Sequence, residues 1–310
     1  MNTPGRLGLY GIGLVAVFGA AFAAGGVLVP DATVAAWQQS AAHGDTHTPN
    51  PSATITQEAD VNGTSISQSG FTLTEIQAPT AIGTEGTLSF VITNQDGTAV
   101  TDYATAHGKD LHLIVVRTDG AGYRHVHPVL DTATGTWSLP WTWDRAGTYR
   151  VYADFTSGDS SVTLSRFVTA GGVVTPEPRT SVVTDAQVDG FDVSVHGQLV
   201  GGAASDLTID ITRDGEPVTE LEPYLGAFGH LVALRDGDLA YLHVHAHGDE
   251  PQPGDTSGPT ITFTAHAPTA GRYLLYLDFQ VDGTVHTAEL VLDAAAGPAD
   301  EGSDGGHGGH

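Results

Sequence analysis

Three histidines stand in the same order at two places in the chain, His112, His125 and His127 in the first and His230, His243 and His245 in the second. Imidazole nitrogen suits borderline metals such as Zn²⁺ and Cu²⁺, and three imidazoles leave one position of a four-coordinate ion to be filled. His125 and His127 are two residues apart, as are His243 and His245, so on a strand each pair shares one face. His112 and His230 each open the preceding apolar stretch, and a hairpin with an even loop brings them onto that same face within a few ångströms. His247 continues the alternation in the second set. The predicted metal ligands are therefore His112, His125, His127, His230, His243, His245 and His247. Candidates for a completing ligand are His107 in the first set, His247 or His266 in the second, Asp154 or Asp278, or water. Ile114 and Val116 share the His112 face while Arg117 lies opposite, and Val232, Leu234 and Arg235 repeat that division. The histidines are thus expected to point inward, near one open end of a sandwich. The competing reading keeps them as structural histidines satisfied by carbonyls and polar neighbours, with Asp154 and Asp278 as exposed strand-end carboxylates.

Composition narrows the chemistry. The chain of 310 residues has no cysteine, and Met1 is its sole methionine, so thiolate and thioether ligands, disulfides and thiol nucleophiles are excluded. Acidic residues outnumber Lys plus Arg by 36 to 11, and Lys109 is the only lysine, which argues against nucleic acid or anionic lipid headgroups as partners. No general base stands beside the clusters, and no nucleophile motif or phosphate loop is present, so an enzyme is not expected; a zinc hydrolase is the weakest reading considered.

The elements that must position the histidines come from an internal repeat. GFTLTEI from Gly70 matches GFDVSVH from Gly190, DGTAVTDY from Asp96 matches DGEPVTEL from Asp214, and AGTYRVYADF from Ala146 matches AGRYLLYLDF from Ala270. Between them HLIVVRTDGAGYRHVHP from His112 matches HLVALRDGDLAYLHVHA from His230. Each copy holds short apolar strands separated by turn residues, predicted in the first at 71–77, 87–93, 111–117, 123–127, 136–141, 148–155 and 162–168. Seven such strands predict an all-β chain of two tandem immunoglobulin-like β-sandwich domains. The approach to Tyr149 resembles a tyrosine corner, although Val151 and Leu275 stand where antibody-type domains carry cysteine.

The expected domains are 63–172 and 180–293, joined by a linker stiffened by Pro176 and Pro178 and folding independently of each other. Before them, Leu7 to Pro30 is uncharged and long enough to span a bilayer, with Arg6 on its short side, which predicts an N-terminal transmembrane helix and an extracytoplasmic remainder. A cleaved signal peptide ending near Ala23 is the alternative, giving a secreted protein. Residues 31–62 read as a flexible spacer with His43 and His47, and 294–310 as a disordered acidic tail with His307 and His310.

These motifs, together with the N-terminal segment, resemble the bacterial, largely actinobacterial, membrane-anchored proteins described as heavy-metal-binding domain-containing or secreted proteins. The resemblance runs from Arg6 to Leu292 and implies copper or zinc as cofactor, with other extracytoplasmic metal-handling proteins as partners. One departure is that family members often follow the second His-Val-His with proline, where this chain has Ala246 and His247. The function expected is a membrane-tethered protein that holds or relays ions through its histidine clusters. The alternative is a cell-surface stalk or adhesion module with structural histidines.

Overall fold

The computed structural model describes residues 63–242 and 244–297; the proposed anchor, the spacer, His243 and most of the C-terminal tail lie outside the described residues. Among the described residues no helix is long and apolar enough to cross a membrane, and all regular structure is β. The first repeat contains β1 (Ser67–Gln68), β2 (Phe71–Leu73), β3 (Gly86–Thr93), β4 (Leu111–Arg117), β5 (Arg124–Val126), β6 (Val129–Asp131), β7 (Thr136–Trp141), β8 (Gly147–Ser157) and β9 (Ser160–Ala170). The second contains β10 (Asp185–Val188), β11 (Phe191–His196), β12 (Ala203–Arg213), β13 (Glu216–Pro217), β14 (His230–Arg235) and β15 (Tyr241–Leu242). It continues with β16 (Val244–Ala246), β17 (Thr260–Ala267), β18 (Gly271–Val281) and β19 (Thr284–Ala294). Each repeat is a sandwich of two antiparallel sheets: β1-β2-β3-β7-β6 on β5-β4-β8-β9, and β10-β11-β12-β17-β16 on β15-β14-β18-β19, with β13 paired to β12.

Outer strands show the alternation expected of a sheet with one wet face. In β12, Leu207, Ile209 and Ile211 are buried while Asp206, Thr208 and Asp210 are not. Strand β4 differs, being buried at all seven positions. Its Leu111, Leu113 and Val115 join the first sandwich core with Phe90, Trp137 and Val151. Its Ile114 and Val116 instead join Tyr152 and, from the second repeat, Val232, Leu234, Leu239, Leu274, Tyr276 and Val291. His112 shares this second face, so the histidines point at the other repeat and not into the sandwich as the sequence suggested. Both faces of β4 are apolar, and alternation alone does not say which one closes the sandwich.

The sheets that hold β4 and β14 therefore pack against each other through reciprocal contacts. Tyr123 stacks on Tyr276 with centroids 4.0 Å apart, and the equivalent pair Tyr241 and Tyr152 lies at 5.8 Å. Tyr276 Oη donates to Gly120 O at 2.7 Å, and Tyr152 Oη donates to Leu239 O at 2.5 Å. The linker is pinned as well: Thr175 O accepts from Arg117, Glu177 pairs with Arg145, and Arg179 pairs with Glu289. The two repeats share a buried cluster that either one alone would expose. The tyrosine corners are present, Tyr149 Oη donating to Arg145 O at 2.8 Å and Tyr273 Oη to Thr269 O at 2.7 Å. Strand β19 includes Ala294, and Ala295 N donates to Leu199 O, so ordered pairing runs past the boundary drawn at residue 293.

Candidate metal centre

The hairpin of β4 and β5 has the register a converging cluster requires. Leu113 pairs with Val126 and Ile114 with His125, which puts His127 next to His112 just beyond the ladder. His112 Nδ1 lies 3.0 Å from His125 Nε2 and 3.3 Å from His127 Nε2. One ligand nitrogen from each of the three falls within 4.8 Å of the others. Pro128 follows at once; having no N–H, it cannot extend the ladder, and the chain resumes as β6 on the other sheet.

The outward nitrogens fix the inward ones. Ala106 O is 3.1 Å from His112 Nε2, and a carbonyl can only accept, so that nitrogen carries the proton and Nδ1 carries the lone pair. Asp278 Oδ2 is 2.9 Å from His125 Nδ1, so the same logic turns the lone pair of His125 Nε2 inward. Two lone pairs then face each other at 3.0 Å, an arrangement relieved by a shared proton or a cation. Four-coordinate zinc with Zn–N of about 2.0–2.1 Å separates its nitrogens by about 3.3 Å in a tetrahedron, close to the two spacings from His112 Nδ1.

Asp278 is 2% exposed and belongs to β18 of the second repeat. Its Oδ1 accepts from Thr287 Oγ1 at 2.6 Å, and Tyr123 Oη lies 3.5 Å from Oδ2. Expected as a ligand or as an exposed strand end, Asp278 is instead a buried hydrogen-bond partner of His125. Asp154, its counterpart, accepts from Thr163 Oγ1 at 2.8 Å, and burial raises its carboxyl.

The second histidine set does not form a second centre among the described residues. His230 joins the first cluster, its ring stacked on His112 at 5.7 Å and 4.8 Å from that of His125. His245 and His247 are exposed, and His243 lies outside the described residues. The cause is an earlier change of sheet. Strand β15 ends at Leu242, and Val244, His245 and Ala246 pair with β17. Ala246 stands where Pro128 stands in the first repeat, and the ladder continues through it to the His247 N–H, which donates to Thr262 O. His247 Nε2 is 2.6 Å from Thr264 Oγ1, and His266 is exposed. His107 sits at the rim on a two-residue turn with Gly108, both at positive φ, its ring 6.1 Å from those of His112 and His230.

Burial, and then His125 beside it, hold His112 down at about 4. Burial, then His125 and His112, hold His127 at about 3, and burial followed by the same neighbours pushes His230 well below the usual range. An imidazole neutral in the fold but free to protonate near its ordinary value of about 6.5 when unfolded stabilises the fold above that value. As pH falls below about 6.5 the unfolded chain takes up protons that the folded chain refuses, and stability drains until the folded values are reached. For His112, 3% exposed, the slope in that window is about 1.4 kcal/mol per pH unit. Urea midpoints of metal-free protein should therefore drop between about pH 6.5 and about pH 4. A flat profile would show that the cluster protonates without cost.

Fold and cluster together define a tandem immunoglobulin-like β-sandwich protein whose histidines gather where the repeats meet. The chain belongs to the family described as a domain of unknown function (DUF8832), whose profile matches residues 64–172 and 186–296. That match carries the repeat and no metal assignment. A comparison with curated proteins found no match. Among solved structures the chain is similar to domains 4 and 5 of the S-layer protein SbsC, at 11% identity and TM-score 0.21 over 75% of this chain and 98% of that one. Others are invasin, a bacterial integrin-binding protein (13% identity, TM-score 0.22, 74% of this chain and 39% of that one), and the chicken CNTN1 FN1–FN3 domains (10%, 0.19, 72% and 66%).

Proposed function

We propose that the protein binds a Cu²⁺ or Zn²⁺ ion outside the cytoplasm through His112, His125 and His127, to hold it or pass it on. The observation that carries this reading is the convergence of three imidazole nitrogens while the far nitrogens of His112 and His125 are engaged by acceptors. The uncharged run from Leu7 to Pro30 with Arg6 before it supports export. Isothermal titration and metal analysis of protein purified without a His-tag test the proposal. One ion per chain, retained when the residues after Gly297 are removed, is the expected result. A second reading, a surface stalk or interaction module with structural histidines, draws support from the tandem sandwiches and from His112 having partners at both ring nitrogens. Absence of metal in the titration would leave that reading in place.

A further inference from the structure

We propose that the centre is completed across the repeat boundary: Asp278 of the second repeat is the positioning residue that aims His125, so the ion is held tightly only while the two repeats are docked. This rests on the metal-binding reading above.

All three converging histidines belong to the first repeat, yet the acceptor for His125 Nδ1 belongs to the second. A metal-ligating histidine gains orientation and basicity when its other ring nitrogen donates to a carboxylate. Asp278 is built for that role. Its Oδ1 is fixed from within its own repeat by Thr287 Oγ1, leaving Oδ2 to reach across to His125 Nδ1 and, at longer range, Tyr123 Oη. Tyr123 is itself stacked on Tyr276, two residues before Asp278 on β18. The contact that docks the repeats and the contact that aims the ligand thus lie side by side on one strand. Were the repeats to part, His125 would lose its acceptor, and its proton could move to Nε2, where it would occupy the site of the ion.

The test uses the full chain and Zn²⁺. Asp278→Asn should weaken Zn²⁺ binding about 10–100-fold, and long-range ¹H–¹⁵N spectra should show the His125 proton leaving Nδ1. Asp154→Asn removes a like charge from the equivalent place in the first repeat and should change affinity far less, which separates positioning from general electrostatics. Thr287→Val keeps the carboxylate but frees it to turn, and should weaken binding by a smaller factor should Asp278→Asn fail to fold. Equal affinity of wild type, Asp278→Asn and Thr287→Val would overturn the inference while leaving the metal reading intact. Absence of Zn²⁺ binding by the wild type would overturn both.

Discussion

Replacing both His125 and His127 with alanine should abolish metal binding, lowering affinity more than about 100-fold, because a single imidazole cannot hold what three converging ones hold. Of the three, His112 alone would remain, and its Nε2 is committed to Ala106 O. The substitutions differ in structural cost. His127 is half-buried, so its removal disturbs little. Losing His125 takes from the buried Asp278 the donor 2.9 Å from Oδ2, which lowers stability as well as affinity. His127→Ala alone is therefore the clean measure of the site, and circular dichroism should show both variants folded. His245→Ala with His247→Ala should leave the affinity unchanged, since β16 carries the first of them, and its continuation the second, onto the other sheet. Undiminished binding in the His125/His127 variant would move the ion to histidines such as His307 and His310 and end the case for a buried centre.

Tyr276→Ala should be the most destabilising single change at the junction between the repeats. The side chain is 2% exposed, stacks on Tyr123 and donates to Gly120 O. Removing a large buried ring costs about 3–5 kcal/mol, and at roughly 2–4 °C per kcal/mol for a protein of this size the thermal midpoint should fall by on the order of 10 °C. Tyr276→Phe keeps the ring and loses only the hydrogen bond, so its cost should be nearer to about 1–2 kcal/mol. Because the ring lies between the repeats, scanning calorimetry should show one transition in the wild type and two in Tyr276→Ala. Two transitions already present in the wild type would bear out the independent folding expected of repeats that each hold a full set of strands.

Most of the sandwich was legible in the sequence. Turn residues bracketed 111–117 and 136–141, which form β4 and β7 with those bounds, and the run before Tyr149 announced a corner that is present. The histidine trio was legible too, because i, i+2 spacing and a hairpin are local properties. What lay between the repeats was hidden. A strand covered on both faces, such as β4, shows an unbroken apolar run and conceals which residues meet a second partner. Asp278 looked like an exposed strand end because its partner His125 is more than a hundred residues away in sequence, and no periodicity reports such a contact. The departure at Ala246 was visible as a missing proline, but its effect, the continued ladder that leaves His245 and His247 exposed, needs the pairing of β16 with β17 to be seen.

The stacking of His112 on its counterpart His230 bears on how a duplicated chain can diverge. The equivalent rings of the two repeats lie against each other, so the space beside His112 is also the space beside His230. The two copies nonetheless differ in what stands around those rings: His125 and His127 close on His112, whereas His245 and His247 are exposed. The turn that carries His107 in one repeat carries Leu225 in the other, and proline in one HVH segment is alanine in the next. Duplication here has left unequal halves: His125 and His127 of one repeat lie beside His112, and the carboxylate that pairs with His125, Asp278, stands in the other.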